Sequence, residues 1–268
     1  MREGRPTQAE RGEHFAALHH DKPFLIPNPW DAGSAKVLAA QGFEALATTS
    51  SGFAFTLGRL DGNVTLEELA AHVRLLADAT DLPLAVDLEN GFGPEPADAA
   101  RAIAAAAEAG AVGGSIEDFD PAGHLYCVEH AEARIAAAAE EARGLGFEFT
   151  LTARAENHIR GNPDLGDTIA RLQAYERAGA DVLFAPGLRD AEEIAAVRAA
   201  VGLPLNVLVW PGLSPAEAFA AGAQRVSVGG GLTWAAVSEL VAAALALREG
   251  ESPASMSGPA GLRDWLGS

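Results

Sequence analysis

One unit recurs along this chain and limits what it can fold into: an alanine-rich stretch, a glycine, then a short β-prone run. It appears as Leu38-Ala39-Ala40-Gln41-Gly42 before Ala45-Leu46-Ala47-Thr48-Thr49, and as Ala109-Gly110-Ala111 before Gly114-Ser115-Ile116-Glu117. It returns as Ala178-Gly179-Ala180 before Asp181-Val182-Leu183-Phe184, and as Ala221-Gly222-Ala223 before Arg225-Val226-Ser227-Val228. Each glycine stands where a helix end needs a left-handed residue. Two more helices end in Leu-Pro before a strand, at Leu82-Pro83 and Leu203-Pro204. Helix and strand therefore alternate, which predicts a parallel sheet. Strands are expected near 24–28, 45–50, 84–89, 113–117, 149–155, 181–186, 205–209 and 225–229. Helix starts support the count: Thr65 with Glu68 and Ser214 with Glu217 have capping-box spacing, and Pro215 suits a first helical position. Eight βα units in 268 residues match a single (β/α)8 TIM barrel, with an open doubly wound sheet as the alternative. The division expected is an N-terminal extension over 1–20, the barrel over 21–248, and a tail with a short helix over 249–268.

Composition narrows the partners. Hydrophobic residues are 49% and aromatics 6%, a core of small and medium aliphatic side chains. A net charge of −18 repels phosphate backbones and argues against nucleic acid. One cysteine excludes an intrachain disulfide, the first thirteen residues have no apolar signal core, and no apolar run approaches a membrane span. The expectation is a cytoplasmic protein with no membrane partner.

Chemistry is expected at the strand C-termini, where parallel α/β folds build their sites. In Leu84-Ala85-Val86-Asp87-Leu88-Glu89-Asn90-Gly91-Phe92-Gly93 an apolar strand ends in two carboxylates two residues apart, which face the same way. Such a pair suits a hard divalent cation, Mg2+ or Mn2+, and equally fits an acidic loop start. The same face should present Asn28 and Asp31; Ser50, Ser51 and Gly52; Glu117 and Asp118; Arg154 and Glu156; and Asn206. Carboxylates beside one arginine suit a metal that binds a small anionic substrate. His19 and His20 read as surface residues, Asp61 as a turn residue, and Gly229-Gly230-Gly231 as close packing before the last helix.

These motifs resemble the isocitrate lyase/phosphoenolpyruvate mutase superfamily, Mg2+-dependent (β/α)8 enzymes acting on α-keto acids. The matching stretches are Pro27-Asn28-Pro29-Trp30-Asp31-Ala32, Thr48-Thr49-Ser50-Ser51-Gly52, and Leu57-Gly58 to Asp61-Gly62. Val86 to Gly93, Ser115-Ile116-Glu117-Asp118, Thr152-Ala153-Arg154-Ala155-Glu156 and Ala178-Gly179-Ala180-Asp181 follow in the same order. The resemblance implies Asp87 as the main Mg2+ ligand, with Asp61, Glu89 and Glu117 holding metal-bound waters. It implies that Ser50, Ser51 and Gly52 bind a substrate carboxylate and that Asn206 adds a contact. Arg154, His124 and Glu117 become the candidate catalytic residues, Arg154 meeting the keto or enolate oxygen. It also implies a homodimer or homotetramer built by exchanging the C-terminal helix between subunits.

One departure bears on the reaction. Lyases of this family carry a Lys-(Lys/Arg)-Cys-Gly-His loop, whereas this chain reads Phe119-Asp120-Pro121-Ala122-Gly123-His124. Ala122 stands where the cysteine would be, and Cys127, three residues past His124, reads as a small core residue opening the next helix. The expected activity is C–C cleavage of a small 2-oxo acid, of lyase or decarboxylase type, through a metal-stabilised enolate. The alternatives are P–C chemistry of the phosphonopyruvate or phosphoenolpyruvate mutase or hydrolase type, and a barrel that binds a 2-oxo acid without turnover.

Overall fold

The structure, a computed structural model, describes residues 4–267. Eight parallel strands form one sheet: β1 (Phe24–Ile26), β2 (Leu46–Ala47), β3 (Leu84–Asp87), β4 (Gly113–Glu117), β7 (Thr150–Arg154), β8 (Val182–Phe184), β9 (Leu205–Leu208) and β10 (Arg225–Ser227). A two-stranded antiparallel hairpin, β5 (Phe119–Asp120) with β6 (His124–Leu125), interrupts the series after β4. The order β1-β10-β9-β8-β7-β4-β3-β2 leaves β1 and β2 as the last pair to meet. They are joined by Ala47 N–H to the Pro27 carbonyl at 3.1 Å and by the Asn28 amide to the Thr48 carbonyl at 2.9 Å. The oxygen of Asn28 accepts from the N–H groups of Val228 and Gly229, so this one side chain ties three neighbouring segments into a nearly closed barrel.

Helices α2 (Ala32–Ala40), α4 (Leu66–Ala79), α5 (Pro96–Glu108), α6 (Val128–Gly144), α7 (Leu165–Ala178), α8 (Ala191–Ala200) and α9 (Pro215–Ala220) connect the strands, with a short α3 (Ser50–Thr56) after β2. The capping boxes at Thr65 and Ser214 form as their spacing predicts, and Gly42, Gly110, Gly179 and Gly222 all take left-handed φ. Val86, Ile116, Leu151, Leu183, Leu205, Val207 and Val226 turn outward onto the helices, meeting Leu76, Ile103, Ile135, Leu172 and Val197 in the main core. Alternate residues turn into the lumen.

The strand expected over 45–50 is shorter, because Thr49 stops it. Its hydroxyl accepts the Gly52 N–H and caps α3, so Ser50, Ser51 and Gly52 open a helix rather than end a strand. Helix α1 (Gln8–Leu18) closes the N-terminal end of the barrel: Phe15 and Leu18 join Phe24, Ile26, Ala45, Ala85 and Val112 in a second core. His19, read from sequence as a surface residue, is 5% exposed there, held edge-on between Phe15 and Phe24.

At the other end of the chain, α10 (Gly231–Arg248) buries only Thr233 of its eighteen residues and leaves Trp234, Leu240, Val241, Leu245 and Leu247 exposed. It is long and apolar enough to pass for a membrane helix by length and composition, though Glu239 lies near its middle. The final α11 (Leu262–Gly267) lies on α2 of its own chain, where Lys36 reaches the Leu266 carbonyl at 2.9 Å.

Candidate active site

The strand C-termini carry an acidic ring around one guanidinium. Asp87 ends β3, and its two oxygens accept the N–H groups of Glu89 (3.2 Å) and Ser50 (3.3 Å). Glu89 follows with a left-handed φ of 49°, unusual for a glutamate, which lets the chain turn sharply beneath its side chain. Arg154 ends β7 and lies 3.3 Å from Glu117 and 3.7 Å from Asp87. Its Nε meets Glu156, which is wholly buried. A second arginine, Arg160, pairs with Glu156 at 2.9 Å, approaches Glu117 at 3.6 Å, and stacks over the Phe119 ring of the hairpin. The sequence reading counted a single arginine; Arg160 sits four residues past Glu156, a spacing that pairs charges across one turn.

The charges are not balanced. Burial, then Asp87 and Asp61, push the Glu89 carboxyl up to about 8, and Arg154 only partly offsets them. Burial raises Glu117 well above the usual carboxylate range, with Glu156 and Asp87 adding to it against the pull of Arg154 and Arg160. Asp61, in a turn at the mouth, is raised by burial and then by Asp87. Burial alone would lower Arg154, but Glu156, Glu117 and Asp87 outweigh it and hold its proton. Oxygen-only donors crowded by mutual repulsion are a setting a divalent cation relieves. Among the described residues no three His, Cys, Asp or Glu side chains form a preassembled cage. Mg2+ needs none, since it commonly takes one or two carboxylates and keeps several waters. The residues fit such an ion.

Ser50 and Ser51 line a cavity of about 200 Å3 together with Asp61, Asp87, Arg154 and Asn206. Gly52 does not: its N–H is spent on Thr49, and a Cβ there would fall 2.6 Å from Thr49 Cγ2 and 2.7 Å from Thr233 Oγ1. Gly230 is likewise a packing glycine, where a Cβ would meet Trp234 and Ser51. A larger groove, about 750 Å3, lies at the opposite rim between Lys36, Asp78, Asp81 and Trp265, away from the acidic ring.

Other expected residues lie elsewhere. Asp31 caps α2. Asp118 is out of phase with Glu117 and turns outward, accepting from Arg171, Tyr175 and the Glu156 N–H. His124 is exposed on the hairpin and does not line the cavity. Cys127 is exposed at the N-cap of α6, not a core residue, because the chain leaves the hairpin there and only Tyr126 turns inward.

The (β/α)8 barrel places the chain in the phosphoenolpyruvate mutase/isocitrate lyase superfamily. The chain matches the phosphoenolpyruvate phosphomutase family over residues 15–248 and belongs to it. A solved structure from Burkholderia cenocepacia J2315, named only as a lyase/mutase, is 49% identical with a TM-score of 0.93 over 97% of both chains. Oxaloacetate acetylhydrolase, solved with its product oxalate, is 26% identical with a TM-score of 0.87 over 97% of this chain and 95% of that one. An oxaloacetate decarboxylase of Bradyrhizobium diazoefficiens is 33% identical over 73% of this chain and 69% of its own length.

Proposed function

We propose that this protein is a Mg2+-dependent enzyme that breaks a C–C bond in a small 2-oxo acid, with oxaloacetate decarboxylation as the leading activity. The observation that carries the reading is the cavity that Ser50, Ser51, Asp61, Asp87 and Arg154 line together, with Glu117 against Arg154 and Glu89 beside Asp87 and Asp61. Asp87 would hold the ion directly, and Asp61, Glu89 and Glu117 would hold its waters. When bound, the ion supplies positive charge that favours negative charge on the substrate's oxygens. The α3 N–H group of Ser51 offers a hydrogen bond to the acid's carboxylate, whereas the Ser50 N–H is already held by Asp87. Arg154, kept protonated by its neighbours, meets the 2-oxo oxygen as charge develops there.

Decarboxylation asks little else of the protein. The C3–C4 bond breaks, CO2 leaves, and the electron pair passes to C3 and the 2-oxo oxygen; water then protonates C3 to give pyruvate. No thiol acid is required, which accords with Ala122 in the loop and with Cys127 exposed on the following helix. The oxaloacetate acetylhydrolase and the oxaloacetate decarboxylase named above support the substrate class.

The test is a screen of 2-oxo acids and phosphonates with Mg2+ and Mn2+, read by pyruvate release above the metal-only background. Pyruvate from oxaloacetate, lost on chelation, is expected. Pyruvate and phosphate from phosphonopyruvate would point instead to P–C chemistry, and binding without product to a non-catalytic barrel.

Assembly is part of the same reading. An apolar helix left in water is unstable, so we infer that α10 packs against a second copy of the chain, in a dimer or a tetramer.

A further inference from the structure

Below the acidic ring, Ile26 and Leu208 share the lumen with hydroxyls and an amide, from Thr152, Asn206 and Ser227, and with the guanidinium of Arg225. Arg225 opens β10 and is 5% exposed. Its Nε donates to Asn206 Oδ1 at 2.8 Å, Nη1 to His19 Nε2 at 3.0 Å, and Nη2 to Thr152 Oγ1 at 3.0 Å.

The direction of each bond follows from the partner's other contacts. His19 Nδ1 lies 2.8 Å from the Phe15 carbonyl, which can only accept, so Nδ1 carries the proton and Nε2 accepts from the arginine. Burial and the charge of Arg225 push His19 down to about 3, so the ring is neutral. Asn206 turns its oxygen to Arg225, so its nitrogen donates to Ser227 Oγ at 3.0 Å. Every partner of the guanidinium is therefore neutral. Nothing but burial acts on its pKa, which falls to about 9, whereas Arg154 above is held up by carboxylates.

The donors are not exhausted. A guanidinium has about five N–H groups, so two remain after these bonds. Thr152 and Ser227 accept at their oxygens, and each keeps a hydroxyl hydrogen with no acceptor among the described residues. A buried cation with no counter-charge is strongly unfavourable, and this one faces an open shaft of donors.

We propose that the shaft is an anion site, in which a halide-sized ion or one carboxylate group lies beside Arg225 and takes the remaining N–H groups and the hydroxyls of Thr152 and Ser227. Two sources share that chemistry. A free small anion would occupy it whether or not the enzyme turns over. The second carboxylate of a dicarboxylic substrate, entering from the ring above, would rest on the function proposed here.

Bromide is the probe, applied to crystals of the full-length chain grown without halide and in chelator. An anomalous peak beside Arg225 is expected. In solution, bromide should raise the melting temperature saturably, compared with a bulky anion at equal ionic strength. Thr152→Val and Ser227→Ala keep the arginine and should each weaken the bromide response roughly tenfold, the usual effect of one lost bond to a charge. Displacement of the peak by formate supports a free anion. Displacement by succinate with Mg2+, but not by formate, supports the substrate's carboxylate. A shaft without bromide at saturating concentration, together with no halide-specific stabilisation, overturns the proposal. Because the peak is read in chelator, failure of the proposed reaction leaves this result unchanged.

Discussion

Under the proposed function, Glu89 is the side chain that would couple metal, pH and stability. Its carboxyl is held near 8 in the fold against 4.5 for an ordinary glutamate, so the folded state binds more protons between those values. Stability from this group is full below about 4.5 and is lost as pH rises through about 8. Cation binding runs the other way, because it needs the ionised carboxylate. Apparent Mg2+ affinity should climb across this window in the wild type and climb less steeply in Glu89→Gln, where Glu117 and Asp61 still titrate upward, as titrations at several pH values would reveal; a flat wild-type profile contradicts the assignment. Arg154 and Cys127 form a second contrast. Arg154→Ala should cost about a hundredfold or more in rate, as loss of a donor to developing charge does. Cys127→Ser should keep most activity, because the thiol is exposed at a helix cap. A dead serine variant beside a healthy alanine variant would restore a thiol mechanism. Asp87 could be read in advance because its phase along a strand follows from alternation, whereas Glu117 and Asp118 are both expected on one face and only Glu117 lies there. Arg225 could not, since its partners come from residues 19, 152 and 206, which only the closed barrel brings together.

The loop after β3 is the element on which the proposed metal site depends. Two of its non-glycine residues, Glu89 and Phe92, take left-handed φ of 49° and 60°, a conformation that needs outside support. Arg134 of α6 provides it. It is 1% exposed, donates to the carbonyls of Asn90, Gly93 (2.7 Å) and Glu95 (3.4 Å), and lies over the Tyr126 ring at 4.6 Å. Arg134→Met would leave buried carbonyls unpaired and should cost about 3 kcal/mol in denaturant unfolding, while weakening Mg2+ binding. Arg134→Lys should recover part of both. Unchanged metal affinity in the methionine variant would mean the loop holds itself. Local signals found most elements: glycine caps, the Thr65 and Ser214 capping boxes, and the apolar runs. They misjudged the end of β2 because Thr49 is both strand-prone and a good helix cap. They missed the β5–β6 hairpin because each strand is only two residues long.

Taken whole, the molecule has an apolar helix of which only Thr233 is buried among the described residues. Exposed Leu240, Val241, Leu245 and Leu247 on α10 favour a dimer or tetramer, so sedimentation at micromolar concentration should find no stable monomer. Leu245→Glu with Val241→Glu should shift the population to monomer, through charges placed in an apolar interface. A wild-type monomer that stays soluble would remove α10 as an interface. The barrel itself was readable from the eight-fold alternation, whereas the exposure of α10 depends on where the last helix goes once the sheet has closed. Metal-dependent chemistry at Asp87 is what the proposed reaction rests on. The decisive measurement is a calorimetric Mg2+ titration of wild type and Asp87→Ala, with circular dichroism to show that both are folded and pyruvate release assayed on the same samples. Mg2+ binding and turnover should both disappear in Asp87→Ala while the barrel stays folded. Unchanged Mg2+ affinity, or full turnover by the folded variant, would contradict the reading.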